Sequence, residues 1–295
     1  MLKIASIIYS YRTALILAGA LFAAPSMAQA ADQETRGFFE PLIQRLIADG
    51  FNPDQIRQLY SRSDEVYFES RGVSLYFLHN EAKLDYNKMT KRSWIREARV
   101  YLKDHAESFK AAEKKFGVDP NVIAAIILVE TKFGRYMGNR SILNTLSTMA
   151  VLTQPEQRDY LWEQLPEERR YSRNKYDQKA DRKSDWAYRE LKAYLTYTQR
   201  HGIDPAQIKG SYAGALGLAQ FMPSNILAYG KDGNGDGKIN LFEDADAIFS
   251  IASYLRHYGW KPGIDDKKAY KVVYHYNHSK YYVNTILKIR DLLEG

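Results

Sequence analysis

The 295-residue chain has no cysteine, which excludes disulfides, thiolate chemistry and zinc sites built on cysteine ligands. It also lacks a long run of one charge. Lysine and arginine total 42 against 35 acidic residues, a net +7 scattered along the sequence. Nucleic-acid binding concentrates positive charge on one face, so the pattern argues against it while fitting some other anionic partner. After the first 30 residues no apolar stretch is long enough to span a bilayer. With 45% hydrophobic and 26% charged residues, the chain is not disordered and is long enough to bury a substantial core. Tyrosine is the abundant residue, 23 against 12 Phe and 4 Trp. Its flat face and hydroxyl suit polar, ring-shaped ligands, and equally suit the rim of a helical core.

Residues 1–30 read as an export signal. Lys3 and Arg12 precede or flank an apolar run from Ala14 to Ala24, and Ala28-Gln29-Ala30 gives a small-x-small cleavage pattern. Cleavage after Ala30 predicts an exported mature protein without a membrane anchor and a periplasmic location. Removing Lys3 and Arg12 takes the net charge from +7 to about +5.

Helical periodicity dominates the rest. Phe38 to Ile47 and Pro53 to Leu59 predict helices, and Ser93 to Phe116 predicts one long amphipathic helix ending at Gly117. Val66–Phe68 and Val73–Leu78 are candidate short strands or extended segments. Asp119-Pro120 caps a further helix. Residues 154–185, dense in both charges, predict a surface helix plus an exposed loop. Helices are expected again at Trp186–His201, Ala245–Tyr258 and Tyr281–Leu293. The class is mainly α.

Three features carry chemistry. Val122 to Val129 is apolar on every face, so its helix is buried, and it ends in Glu130. Desolvation and the negative end of the helix dipole both raise a carboxyl pKa there, which suits a glycosidase general acid. The alternative is a glutamate that reaches solvent where its helix stops. The small-residue stretch Gly210 to Pro223 is either a tight packing element or the floor of a cleft, with Ser211 and Gln220 as polar groups able to orient a ligand. Asp232, Asn234, Asp236 and Lys238, with Gly237 at the sharp turn and Glu243 at the twelfth place, match a calcium loop. Near the end, Tyr254 and Tyr276-Asn277 offer aromatic faces and an amide suited to sugar rings and N-acetyl groups.

Glu130-Thr131-Lys132-Phe133-Gly134 with Met137-Gly138, then Gly210 to Gly217 with Gln220-Phe221-Met222-Pro223, resemble the lytic murein transglycosylase B family. The calcium loop continuing into Asp244-Ala245-Asp246, and Tyr276-Asn277-His278-Ser279, fit the same pattern. The resemblance implies a lysozyme-like catalytic region at 118–295, including a calcium loop at 232–246. An N-terminal helical region at 31–117 would pack on it. Glu130 would be the single catalytic acid/base, and Ser211, Gln220, Tyr254, Tyr276 and Asn277 would contact substrate. Calcium would be held by Asp232, Asn234, Asp236, Lys238 and Asp246, with Glu243 competing for the last place. No organic cofactor is implied.

The implied reaction cleaves the β-1,4 bond between N-acetylmuramic acid and N-acetylglucosamine and closes a 1,6-anhydro ring. The implied partners are peptidoglycan strands and proteins of cell-wall synthesis or remodelling. A hydrolytic muramidase on the same fold, and a non-catalytic calcium-dependent glycan-binding scaffold, are the rival readings.

Overall fold

The computed structural model describes residues 37–78 and 86–295. All of them belong to one compact unit, Thr35–Gly295. The export signal expected at 1–30 lies outside the described residues.

The first helices follow their caps. α1 (Glu40–Ala48) and α2 (Pro53–Tyr60) each begin with proline in the first turn, and Asn52 caps α2 by accepting the Gln55 amide at 3.0 Å. α3 spans Ser70–Leu78, so Val73–Leu78 is helical rather than extended. Val73 and Phe77, four apart, bury one face of it. Val66–Phe68 joins no ladder.

The expected helix from Ser93 to Phe116 is two. α4 (Arg92–Asp104) and α5 (Ala106–Phe116) meet at His105, whose φ of −111° and ψ of 25° end one and begin the other. The Tyr101 ring packs 4.4 Å from His105 at this break.

α6 (Pro120–Thr131) is the central helix. Asp119 caps it through the Asn121 amide at 2.8 Å, and every residue from Val122 to Leu128 is fully buried. A helix without a polar face needs neighbours all round. α4, α5 and two later helices, α11 (Asp244–His257) and α13 (Lys280–Glu294), supply them.

α7 (Ile142–Ala150) is buried along its whole length, polar residues included. The polar groups bind the N-terminal segment: Ser147 shares a 2.7 Å hydrogen bond with Tyr60, Asn144 donates to the Glu65 carbonyl at 2.9 Å, and Thr148 accepts the Glu69 amide at 2.8 Å. These long-range bonds fasten residues 60–69 to the middle of the chain.

The charged segment is more ordered than its composition predicts. α8 covers Pro155–Glu163, and α9 runs unbroken from Arg173 to His201. Tyr176, Ala180, Ala187, Tyr188 and Leu191 form the buried stripe of α9, which packs on α7 and on α10 (Pro223–Tyr229). α12 (Asp266–Tyr276) completes the helices. The only sheet among the described residues is a two-residue antiparallel pair, β1 (Arg140–Ser141) against β2 (Lys209–Gly210).

Candidate active site

Glu130 is half-buried in the last turn of α6. The phenol of Tyr282, on α13, donates to its Oε1 at 2.7 Å. Tyr282 is 1% exposed, so this bond is made away from bulk water. It exists because α13 lies along α6 and places its third residue beside the end of that helix.

The backbone beyond Glu130 is strained. Lys132 and Phe133 have φ of 49° and 57°, and Gln220 has φ of 46°. Among the described residues these are the non-glycine positions with positive φ. Each such residue costs about 1–3 kcal/mol, a strain that clusters at functional sites. Two of the three follow the catalytic candidate and the third sits on the facing segment. Lys132 turns its ammonium over the rings of Tyr136 and Trp94, at 4.3 and 5.7 Å.

Thr131 fastens the two sequence motifs together. Its hydroxyl accepts the Gly134 amide at 3.1 Å and lies 3.5 Å from the Leu218 carbonyl. A second tie runs through Gly138, where a Cβ would stand 2.1 Å from the Gly210 carbonyl oxygen. Glycine is required there by close approach as well as by its φ of 90°.

Ser211 and Gln220 organise the small-residue loop. The Ser211 hydroxyl accepts the amides of Ala213 and Ala215 at 3.3 and 3.0 Å. The Gln220 side chain donates to the carbonyls of Gly217 and Met137 at 2.9 and 3.3 Å. Both therefore shape the wall that faces the end of α6.

Tyr276 donates to the Ala219 carbonyl at 2.5 Å and stacks at 6.4 Å from Tyr282. Burial, and then the charge of Glu130, push its phenol well above the usual range, so it stays a donor. Tyr254 packs edge-on against Tyr276 at 5.0 Å and donates to the His275 carbonyl at 2.6 Å. At 4% exposure Tyr254 is chiefly a packing partner of Tyr276. Phe221 lies 5.5 Å from Tyr254 and 5.8 Å from Tyr276. Asn277 ends α12 in extended geometry beside this group.

Tyr282, Thr131 and Phe221 were not singled out in the sequence as site residues. A signal for Tyr282 existed. Tyr282, Ile286 and Ile289 repeat at helical spacing on the buried face of α13, and a buried phenol needs a partner.

The acidic loop is a set of turns that aim oxygen inward. Asp232 accepts the amides of Gly235 and Gly237 at 2.6 and 2.8 Å. Asn234 accepts that of Asp236 at 3.0 Å, and Asp236 that of Lys238 at 2.8 Å. Asp246, fully buried, accepts those of Gly233 and Asn240 at 2.7 and 2.6 Å. Glu243 instead takes the side-chain amides of Asn234 and Asn240, each at 2.7 Å. A donor set of carboxylates, an amide oxygen and a backbone carbonyl fits a hard cation. As they stand, no three acidic or imidazole groups among the described residues converge closely enough to hold one. The loop reaches the C-terminal end of α6 through Tyr101, which donates to Asp244 at 2.5 Å and stacks on Phe133 at 4.4 Å.

No helix among the described residues is long and apolar enough to cross a membrane. Residues 34–267 match the sequence pattern of the Transglycosylase SLT domain family. The membrane-bound lytic murein transglycosylase B of Escherichia coli (strain K12) is 34% identical over 164 residues, which are 56% of this chain and 38% of that protein. The chain thus spans well under half of that relative's length. The solved lytic transglycosylase Slt35 of Escherichia coli, in complex with calcium, superposes with a TM-score of 0.68 at 22% identity, covering 88% of this chain and 93% of that one. SltB3 of Pseudomonas aeruginosa, in complex with NAG-anhNAM-pentapeptide, superposes with a TM-score of 0.67 at 18% identity, covering 90% and 80%. The helical, lysozyme-like architecture expected from the sequence is the one these structures share. The chain belongs to the Transglycosylase SLT domain family.

Proposed function

We propose that this chain is an exported lytic transglycosylase that cleaves peptidoglycan strands between N-acetylmuramic acid and N-acetylglucosamine. The observation that carries the reading is the Glu130–Tyr282 hydrogen bond at the end of a fully buried helix, facing the Ser211–Gln220 loop. Family membership and the 34% identity to a lytic murein transglycosylase support it.

In the proposed reaction Glu130 gives its proton to the leaving oxygen of N-acetylglucosamine as the C1–O bond breaks. The muramyl acetamido group holds the electron-poor C1. The C6 hydroxyl of the same sugar then attacks C1 and returns its proton to Glu130. No water is consumed, and attack within one ring is favoured by proximity. Tyr282 keeps the Glu130 carboxylate oriented between the two transfers. Tyr276 and Asn277 present a ring and an amide to the sugar, while Ser211 and Gln220 fix the opposing wall.

Asp232, Asn234, Asp236, Asp246 and the Lys238 carbonyl would hold calcium, with Asp246 closing the loop and Glu243 bracing it. The ion would supply charge that offsets three carboxylates. Adding excess chelator is then expected to lower the thermal midpoint, measured by scanning calorimetry; an unchanged midpoint removes the ion from the account.

The test of the reaction is mass spectrometry of muropeptides released from purified peptidoglycan. Ends lighter by one water, from the 1,6-anhydro ring, are the expected result. Reducing ends would make the protein a hydrolytic muramidase.

A further inference from the structure

The charged segment takes no part in the reaction proposed above, and it builds a recess of its own. A cavity of about 450 Å³ lies between the C-terminal end of α3 and the first half of α9. Among the described residues Arg169, Lys175, Lys179 and Arg182 line it, with Tyr171, Phe77 and Leu78, and no carboxylate does.

This is not the habit of the surrounding segment. Arg158 pairs with Asp177 and Asp181, Arg170 with Glu163 and Glu167, and Arg173 with Asp159 and Asp177. Acids are thus plentiful nearby, and they serve the other arginines. Among the described residues none of the four lining cations has an acidic partner.

Lys179 is half-buried and donates to the Phe77 carbonyl at 2.8 Å and more weakly to that of Tyr76 at 3.4 Å. The negative end of α3 therefore holds its ammonium in place. Burial, and then the charges of Lys183 and Arg182, push that ammonium down, so the group lies within the repulsive field of its neighbours. Like charges gathered around a concave site attract an anion to it.

We propose that this recess binds the free carboxylates of a peptidoglycan stem peptide, giving the enzyme a grip on its substrate outside the catalytic cleft. The proposal rests on peptidoglycan being the substrate. Guanidinium forks match carboxylates in two-point contact. The phenol of Tyr171 meets peptide amides, and Leu78 gives an apolar contact. A recess accommodates a short peptide, whereas a lipid surface is better met by a convex basic face.

The test uses the full chain carrying Glu130→Gln, pelleted with intact peptidoglycan and with peptidoglycan stripped of stem peptides by an amidase. The parent is expected to bind intact material more tightly. Lys175→Gln with Arg182→Gln should cut that preference about fivefold, the size of two exposed charge contacts. Arg169→Gln, which lies off the helix, gives an independent and smaller loss. Lys110→Gln with Lys114→Gln removes the same charge from the exposed face of α5 and should keep the preference. Equal loss in this control, or no loss in the recess variants, overturns the proposal. So does a parent without preference, even when the wild type yields anhydro ends and the reaction stands. Loss of binding to phosphatidylglycerol vesicles in the recess variants, with the stem-peptide preference intact, would assign the recess to lipid instead.

Discussion

Half-buried Glu130 differs from three buried acids, Glu69, Glu190 and Asp246, in which end of a helix holds it. Those three are 3%, 6% and 0% exposed. Each meets a helix N-terminus and accepts backbone amides: Glu69 from Gly72 at 2.9 Å, Glu190 from Ser224 at 2.9 Å, and Asp246, in the first turn of α11, from Gly233 and Asn240 of the preceding loop. There the helix dipole favours negative charge and fixed N–H groups hold it. Glu130 sits at the opposite pole, where the dipole disfavours charge, and its partner is a side-chain phenol. The lesson is a division of labour. Carboxylates at helix starts accept fixed N–H groups and organise the chain, while the one at a helix end is the acid proposed to exchange a proton.

Replacing the most deeply locked acid should have the largest effect on stability. Asp246→Ala leaves two partly buried amides without an acceptor, a cost of about 3 kcal/mol. Urea denaturation would measure it, and a change below 1 kcal/mol would break the contrast. Tyr282→Phe sharpens the other side. Removing a donor to the Glu130 carboxylate should lower kcat about tenfold and move the limb of the pH–rate profile that reports Glu130 to higher pH. Unchanged kinetics would show that the phenol does not orient the acid.

The smallest effect concerns an exposed acid. Arg62 grips Asp204 through two bonds of 2.8 and 2.7 Å and holds its carboxyl below the usual range. A lowered pKa contributes stability above roughly pH 4 that is lost as pH falls through the depressed value. Arg62→Ala should remove that increment, with a midpoint shift of at most about 2 °C because solvent screens the pair. A larger shift would mean that surface acids matter as much as buried ones.

Much of this arrangement was legible where the signal is local. The apolar run into Glu130, the Asp119-Pro120 cap and the oxygen spacing of 232–246 are each read within one short stretch of sequence. Errors arose where partners are distant. Val73–Leu78 looks extended because it is apolar and aromatic, but Val73 and Phe77 are buried on one face of a helix that packs on α7, with Phe77 against Tyr176 of α9. The charged half of α9 looks like a loop because its stripe of Tyr176, Ala180 and Ala187 is diluted by ion pairs such as Arg173–Asp177, at 2.9 Å. The bend at His105 and the β1–β2 pair depend on packing that no short window contains. The partnership of Tyr282 with Glu130 joins residues 152 apart in sequence, so it follows only once α13 lies on α6.

The most direct measurement compares Glu130→Gln with Glu190→Gln, reading anhydro-muropeptide release and thermal midpoint on both. The account predicts that Glu130→Gln loses activity on the order of 10³-fold with its midpoint held. Glu190→Gln should lose stability while each folded molecule stays active. An active Glu130→Gln, or a Glu190→Gln that is stable and inactive, would contradict it.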